Sequence, residues 1–326
     1  MQESHLRTIE VYQSFKNLNA QSHAIRAAVN LGVIRNLRHG QRSLPDLAKQ
    51  CQLQEKPLFL LLEILKATGL IEQYEEDYAL AQVGNVWPEE LEDLGDRYWA
   101  HLEHWLKHAE TIPENASTPL DQKDYEAEHM ADVWWTTPAA IDAAQALSLG
   151  KERKSLKILD LYSGSSVFAL VLLHHDPTSV ATLVDDAARL QFARQHAAGL
   201  AEAENLEWLE CDPTKVQVPE EYYDLVLISR QIHRLSPETL DHLLALAHRA
   251  LKRNGEVVLI DVFPGQEDGV LSRSVRDLEL ALRTHGRQML SPKEVEQALV
   301  QHDFSEIQFA HLPAVPRIFG VVLASK

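Results

Sequence analysis

The stretch "KILDLYSGSSVFAL", Lys157–Leu170, joins an apolar strand to an apolar helix through a short polar loop. Asp160 closes the predicted strand, and the apolar run that begins at Val167 predicts the helix. A loop in this position usually carries several glycines where a nucleotide-like ligand passes close to the main chain. This loop carries only Gly164. The stretch therefore predicts a strand–loop–helix unit whose ligand loop is altered.

The rest of the C-terminal half repeats this alternation. From Leu156 onward, short β-branched and leucine-rich runs alternate with helical segments, a pattern that predicts parallel strands in a doubly wound sheet. The last two apolar runs, "SEIQFAHL" and "FGVVLAS", are separated by a short proline-containing linker. They predict an antiparallel pair at the edge of the sheet. The predicted fold class is α/β.

Polar residues stand at the carboxyl ends of five predicted strands, where ligands bind in sheets of this type. An acid at the end of the second strand suits the two hydroxyls of a ribose, and one after the third strand could face an adenine edge. Capping of the following helix is the alternative explanation for each acid. The five residues are Asp160, Asp185, Asp212, Ser229 and Asp261.

The N-terminal third predicts three helices followed by a hairpin. Apolar spacing indicates a helix over Gln21–Leu37, a short one over residues 45–51 capped by Ser43, and a third over residues 55–71. The residues Leu70–Gly84 alternate like two short strands. This order predicts a winged helix.

Charge argues against a DNA-binding role for that unit. The wing tip is Glu75, Glu76 and Asp77, and the whole chain carries a net charge of −17, so phosphates would be repelled. The third helix is apolar on several faces, which is typical of a helix buried in an interface. We expect no nucleic-acid partner, and we expect the N-terminal helices to form a homodimer.

Composition is that of a globular protein. The 326 residues are 45% hydrophobic and 24% charged, and no run approaches the roughly 20 apolar residues of a membrane span. The N-terminus lacks a signal-peptide pattern. Cys51 and Cys211 are far apart and lack metal-ligand spacing, so we expect buried free thiols and no metal site. The predicted location is the cytoplasm.

Two segments carry a resemblance to a known family. They are Tyr222–Gly265, "YYDLVLISRQIHRLSPETLDHLLALAHRALKRNGEVVLIDVFPG", and Ala67–Gly84, "ATGLIEQYEEDYALAQVG". The chain resembles the S-adenosylmethionine-dependent O-methyltransferases of the plant phenolic and bacterial hydroxyneurosporene or polyketide type. The resemblance implies a winged-helix dimerisation domain over 1–110, connecting helices over 111–150 and a Rossmann-like class I methyltransferase domain over 151–326.

The same resemblance implies catalytic roles. His233 falls on the family's general base and Asp261 on the acid that steers it. A second steering acid falls on Gln288, while Arg234 and Leu235 replace an acid and an aromatic residue. An imidazole that titrates near neutral pH can take the proton of a hydroxyl as that oxygen is methylated.

The cofactor loop departs from the family. Three small residues at alternate positions fall on Tyr162, Gly164 and Ser166, and Ser229 stands where a lysine is common. The ring of Tyr162 is expected to weaken or abolish binding of S-adenosylmethionine. The predicted cofactor-binding residues are Asp160, Tyr162, Gly164, Asp185, Asp212, Pro213 and Ser229.

The predicted function is methyl transfer to a hydroxyl of a small aromatic or polyketide-like acceptor. Trp134 and Trp135, placed just before a predicted helix, and Gln288 are candidate substrate contacts. The alternative is a catalytically silent homologue that binds a ligand or a partner. The acceptor itself, and methylation at oxygen rather than nitrogen or carbon, stay open at this point.

Overall fold

A computed structural model describes the chain over residues 2–86, 95–108, 122–263, 269–283, 289–313 and 319–326. The chain divides into two compact units, Met1–Gly95 and Asp96–Lys326. The three-part division predicted from the sequence stays a prediction. Within the described residues, no helix is both long and apolar enough to cross a membrane.

The first unit is helical with a small sheet. Its helices are α1 (Gln2–Asn30), α2 (Val33–Arg38), α3 (Leu44–Cys51), α4 (Glu55–Ala67) and α5 (Gln82–Val86). Its strands are β1 (Arg42–Ser43), β2 (Ile71–Tyr74) and β3 (Asp77–Leu80), in the antiparallel order β1-β3-β2. The hairpin and the second and third helices predicted from the sequence are present, and β1 adds a third strand.

The predicted helix over Gln21–Leu37 is wrong as a single element. The chain leaves α1 after Asn30 and begins α2 at Val33. Gly32 between them has a φ of 74°, a left-handed angle that glycine adopts without steric cost. The Asn36 side chain donates to the carbonyl of Gly32 at 2.8 Å. The apolar spacing runs through the break because both helices bury residues in the same core.

The second unit contains most of the chain. Its helices are α6 (Asp96–Trp99), α7 (Leu102–Lys107), α8 (Gln122–Ala146), α9 (Val167–His175), α10 (Ala187–Ala197), α11 (Pro237–Ala250), α12 (Val270–Arg283) and α13 (Pro292–Gln301), with a 3-10 helix over Ala201–Asn205. Its strands are β4 (Lys157–Leu161), β5 (Val180–Asp185), β6 (Leu206–Glu210), β7 (Tyr223–Ser229), β8 (Leu251–Val262), β9 (Ser305–His311) and β10 (Phe319–Ser325).

The seven strands form one sheet in the order β6-β5-β4-β7-β8-β10-β9. The first five are parallel, while β10 runs antiparallel to both β8 and β9, so the predicted doubly wound sheet and its antiparallel edge pair are confirmed. The central strands are buried on both faces: Leu159, Leu227 and Leu259 are fully inaccessible. Burying each such side chain stabilises the fold by about 1.5–3 kcal/mol.

Helix α8 corrects the placement of the two tryptophans. The sequence predicted that Trp134 and Trp135 precede a helix, whereas both lie inside α8, together with Pro138. Proline inside a helix costs about 3 kcal/mol because it removes one backbone donor and crowds the preceding turn. Burial of four alanines in the last turns of α8 offsets this cost. They are fully buried in the core of the second unit: Ala139, Ala140, Ala143 and Ala144.

Candidate active site

The polar strand ends predicted from the sequence meet at one edge of the sheet. Asp160 lies opposite Leu183 of β5 and Leu227 of β7 in the parallel register, and Ser229 lies opposite Ile260 of β8. The carboxyl ends of β4, β5, β6, β7 and β8 therefore face the same side. This register brings the five predicted residues to one rim of the unit.

The loop after β4 has three left-handed residues at alternate positions, and only one of them is a glycine. Tyr162, Gly164 and Ser166 have φ values of 59°, 52° and 59°, all left-handed. Such angles cost a residue with a Cβ about 1–2 kcal/mol. The turn is closed by a hydrogen bond from the Ser166 amide to the carbonyl of Ser163 at 2.8 Å. The three alternate positions at which glycine was expected are the three that need its conformational freedom.

Gly164 faces open space rather than protein. A Cβ added to it would meet only the carbonyl oxygen of Tyr162, at 3.9 Å. Packing inside the protein therefore does not explain the glycine. Two features do explain the glycine: its left-handed backbone angle and the room that it leaves for a ligand beside the main chain.

Asp160 is a buried acid at the base of this loop. Its side chain is fully inaccessible, and neither carboxylate oxygen has a hydrogen-bond partner among the residues that the structure describes. Burial, reinforced by the charge of Asp185, raises the pKa of Asp160 well above its ordinary value. The neighbouring Ser163 hydroxyl is also buried and without a described partner. A carboxylate in this state suits a ligand that brings a cation or hydrogen-bond donors.

Asp185 is hydrogen-bonded to the loop after β4. One of its oxygens accepts the Gly164 amide at 2.9 Å, and the other accepts the Asp186 amide at 2.9 Å and the Arg189 guanidinium at 3.1 Å. Burial outweighs these contacts and raises the pKa of Asp185. Asp186 caps α10 by accepting the Arg189 amide at 2.9 Å. The sequence assigned Asp185 to a ribose; the structure shows that it fixes the loop, and a ribose contact stays a proposal.

Tyr162 lies between the loop and the end of β6. Its ring packs against the apolar cluster beneath the sheet edge. Burial first, and then the charges of Asp212 and Asp185, raise the pKa of its phenol. Asp212 accepts the amide and the hydroxyl of Thr214 at 2.9 and 2.7 Å, and these bonds lower its pKa. Pro213 beside it is buried.

His233 and Asp261 form a buried dyad at the ends of β7 and β8. His233 Nδ1 lies 2.5 Å from Asp261 Oδ1, and the His233 amide donates to the other oxygen at 3.2 Å. Only 6% of His233 is exposed. Burial alone would raise the pKa of Asp261, but the charge and hydrogen bond of His233 hold it below its ordinary value. The carboxylate thus makes Nδ1 the donor and leaves the Nε2 lone pair to accept a proton.

Three arginines lie beside Asp185 or the His233–Asp261 dyad, and none of them was assigned a role from the sequence. Arg189 pairs with Asp185 across one helical turn, a spacing that the sequence does show. Arg230 directly follows Ser229, has a left-handed φ of 58°, and places its guanidinium 5.7 Å from the centre of the Phe319 ring. Arg234 donates from Nε to His233 Nε2 at 3.3 Å. Arg234 directly follows His233 in the sequence, whereas only the folded chain brings Arg230 close to Asp261.

The predicted substrate contacts stay predictions. Trp134 and Trp135 are 40% and 38% exposed on α8, with ring centres 6.2 Å apart. Gln288 lies outside the described residues. Within the described part of the chain, no group of three or more histidines, cysteines or acids could hold a metal ion. Cys51 and Cys211 are free thiols but half-buried, so the predicted full burial is wrong.

Solved structures share this fold over nearly the whole chain. A putative O-methyltransferase from Nostoc punctiforme PCC 73102 superimposes with a TM-score of 0.79 and 22% identity, over 97% of this chain and 99% of that one. Human N-acetylserotonin methyltransferase in complex with S-adenosylmethionine gives 0.78 and 19%, over 98% and 97%. Mitomycin 7-O-methyltransferase gives 0.79 and 20%, over 100% of both chains. At such identities the likeness establishes the fold.

Sequence comparison supplies the family. No curated protein sequence matches the chain. The sequence profile of the O-methyltransferase domain, however, matches residues 120–305, which is more than half of the chain. That range holds the altered loop, the strand-end acids and the His233–Asp261 dyad. The chain therefore belongs to the O-methyltransferase family, whose members transfer methyl groups from S-adenosylmethionine.

Proposed function

We propose that this chain methylates a hydroxyl of a small aromatic or polyketide-like acceptor, with His233 as the general base. The observation that carries the proposal is the dyad, in which Asp261 fixes the histidine with its Nε2 lone pair available for a proton. A phenol is a poor nucleophile until its proton leaves. His233 Nε2 takes that proton, and the buried carboxylate of Asp261 stabilises the imidazolium that results.

The rim of the sheet supplies residues that fit the cofactor. When bound, S-adenosylmethionine supplies an electrophilic methyl on a sulfonium. The unpartnered carboxylate of Asp160 suits its ammonium group, and Gly164 leaves the main chain open beside that end. Asp212 and Pro213 stand where the nucleoside would be held.

Two observations weigh against the alternative of a catalytically silent homologue. The loop retains left-handed angles at all three positions despite the cost at Tyr162 and Ser166. The dyad retains both of its side chains with a short bond between them. A chain that had lost the reaction would have little reason to keep a strained loop and a buried histidine–carboxylate pair.

The experiment that tests the proposal combines binding with product analysis. Calorimetric titration with S-adenosylmethionine and S-adenosylhomocysteine should show saturable binding of both. Incubation with a panel of phenols, anilines and enolic carbon acids should then give products heavier by one methyl, as read by mass spectrometry, from the phenols. Binding of the cofactor with transfer only to nitrogen or carbon would overturn the assignment of a hydroxyl acceptor.

We further propose that α1 makes a homodimer. Large apolar side chains recur three residues apart on its N-terminal half and are 51–64% exposed; they are Ile9, Tyr12, Phe15 and Leu18. Residues three apart are neighbours on a helix surface, so these side chains form a continuous apolar stripe that a monomer would leave in water. The interface is expected within residues 6–37.

Light scattering at micromolar concentration should give the mass of a dimer. Phe15→Glu should shift the mass toward the monomer because it places a charge in the apolar stripe, whereas Glu10→Lys on the same helix should leave it unchanged. A native monomer would contradict the proposal.

The name winged helix, the absence of a nucleic-acid partner and a cytoplasmic location also remain proposals. The first rests on the order of α2, α3, α4 and the β2–β3 hairpin. The second rests on the acidic hairpin turn at Glu75 and Glu76. The third rests on the two free thiols, which reducing compartments preserve.

A further inference from the structure

The loop after β4 has a conformation that two of its own residues do not favour. Tyr162 and Ser166 both have a left-handed φ of 59°. Left-handed angles are unfavourable for residues that carry a Cβ, and they persist only where the surrounding structure imposes them. The contacts that impose these angles therefore decide what fraction of the free protein has a loop that is ready to bind a ligand.

The segment from β5 to α10 supplies these contacts. The amides of Tyr162 and Ser163 donate to the carbonyl of Val184 at 3.0 and 3.4 Å. The next amide, that of Gly164, donates to the Asp185 carboxylate at 2.9 Å. Three consecutive amides of the loop are thus held by the end of β5.

His196 holds the carbonyl of the following loop residue. Its Nδ1 lies 3.1 Å from the carbonyl oxygen of Ser165. A carbonyl oxygen only accepts, so Nδ1 carries the hydrogen and donates it. The Ser166 hydroxyl donates to the same carbonyl at 2.6 Å. Together with the bond from the Gly164 amide, the histidine fixes both ends of the Gly164–Ser165 dipeptide, beside which the main chain is open.

The geometry of α10 explains how a residue so far along the chain reaches the loop. Arg189, which pairs with Asp185, and His196 are seven residues apart, about two helical turns, so their side chains share one face of α10. The ring of His196 stacks on that of Phe192, with centroids 6.4 Å apart and planes 13° apart. Phe192 is buried, so it gives the imidazole a fixed wall. The half-buried His196 ring is thereby directed at the loop.

We propose that His196 is a positioning residue for the cofactor loop. Its hydrogen bond to Ser165 raises the fraction of the free protein in which the loop can bind S-adenosylmethionine. The inference rests on the proposed function only in placing the cofactor at this loop. His196 acts through the loop and takes no part in methyl transfer, so losing its bond should weaken cofactor binding and leave the rate of the loaded enzyme unchanged.

Two substitutions separate the hydrogen bond from the packing of the ring. His196→Phe keeps a ring beside Phe192 but cannot donate to Ser165. His196→Asn removes the ring, while its amide nitrogen takes the place of Nδ1 as a donor.

Calorimetric titration with S-adenosylhomocysteine compares these variants with the native chain. The dissociation constant should be about threefold to tenfold larger for His196→Phe, the range for one neutral hydrogen bond, and within about twofold of the native value for His196→Asn. Equal affinities for all three proteins would overturn the proposal. The reverse order of the two variants would also overturn it, since packing of the ring would then be the contribution that matters.

His175→Phe is the matched control. The Nδ1 of His175 also lies near a carbonyl oxygen, that of Val171, at 3.0 Å, and its ring is also half-buried. His175 is the last residue of α9, whereas the loop precedes the first, so this variant should bind S-adenosylhomocysteine like the native chain. Weakening equal to that of His196→Phe would attribute the effect to general destabilisation and overturn the proposal.

Steady-state kinetics adds a second distinction. His196→Phe should raise the KM for S-adenosylmethionine by about threefold to tenfold and leave kcat unchanged, because the bound cofactor selects the competent loop. A lower kcat with an unchanged KM would place His196 in the chemistry and overturn a positioning role.

Hydrogen exchange in the free protein separates this inference from the proposed function. The amides of Gly164 and Ser166 donate to Asp185 and to the Ser163 carbonyl, so their exchange reports how often the loop opens. Both should exchange about three to ten times faster in His196→Phe than in the native chain and in His196→Asn. That result supports the positioning role even where no cofactor binds, in which case the proposed function alone fails. Native exchange rates in His196→Phe overturn the inference whatever the binding.

Discussion

The loop after β4 and the His233–Asp261 dyad depart in opposite ways from what the sequence led us to expect. The loop carries Tyr162 and Ser166 where small residues are expected, yet both keep the left-handed backbone. The dyad has both expected side chains, and Arg234 donates to His233. The loop thus has a left-handed backbone with residues that were not expected there, whereas the dyad has the expected residues with an arginine beside them.

This difference follows from what each region contributes. A loop that presents amides to a ligand works through main-chain geometry, which any residue can adopt at a cost of about 1–2 kcal/mol. A general base works through one nitrogen with a suitable pKa, and histidine is the side chain whose ordinary pKa lies near neutrality. We therefore expect side-chain identity to be replaceable in the loop at a modest cost in free energy and to be required in the dyad.

The largest effect is expected at the dyad. His233→Ala should lower kcat by about a hundredfold to ten-thousandfold, the usual contribution of a general base, and leave cofactor affinity unchanged. His302→Ala is a matched control because its ring also pairs with a carboxylate, Asp241, at 2.7 Å, away from the strand ends. Steady-state kinetics and calorimetry measure the two quantities. If kcat were unchanged, His233 would have no part in catalysis, and the rate would come from positioning of the acceptor.

A smaller effect is expected at the base of the loop. Asp160→Asn should weaken S-adenosylmethionine binding by about 1.5–3 kcal/mol, the usual value of a hydrogen bond to a charged group. The same change should raise the melting temperature of the free protein at neutral pH, because it removes a buried charge without a described partner. A variant that binds as well as the native chain would exclude Asp160 from the cofactor site.

Asp176→Asn should have the opposite effect on stability. Asp176 is also buried, but it accepts hydrogen bonds from the Ser155 and Thr178 amides at 2.8 and 3.2 Å and from the hydroxyls of Thr178 and Ser179. These bonds lower its pKa in spite of burial. Loss of the charge should therefore destabilise the protein, which makes this variant a control for substitution of a buried acid.

The pH dependence of the Asp160 effect has a definite sign. The raised pKa means that the folded state binds a proton more tightly than the unfolded state, so stability increases as pH falls through that raised pKa. The stabilising effect of Asp160→Asn should therefore be full above that raised pKa and should shrink as pH falls through it. Melting curves of both proteins, measured from neutral pH downward, check this prediction. A difference in melting temperature that widens on acidification would contradict it.

The smallest effect is expected within the loop. Tyr162→Gly should tighten S-adenosylmethionine binding by less than about tenfold, because it relieves a left-handed angle and opens space, while glycine adds a backbone cost of about 0.5–1 kcal/mol. Ser163→Gly is the control, since Ser163 lacks a left-handed φ. Calorimetry should show tighter binding for Tyr162→Gly alone. Weaker binding would identify the ring as a wall of the cofactor site.

Local patterns in the sequence were sufficient for most of the fold. Alternation of apolar strands and helices predicted β4 to β8 and the edge pair β9–β10. The positions of Asp160, Asp261 and His233 followed from strand ends and a family motif. These features depend on residues a few positions apart, so periodicity and capping chemistry reveal them.

Only the tertiary structure decided which polar atoms meet. The bond from Gly164 to Asp185, the burial of Asp160 without a described partner, and the pairing of His233 with Asp261 depend on how separate strands align and where their loops return. The break at Gly32 likewise depends on packing, since the apolar spacing continues across it. Sequence spacing records the period of an element, whereas hydrogen-bond partners are set by the paths of chain segments distant in sequence.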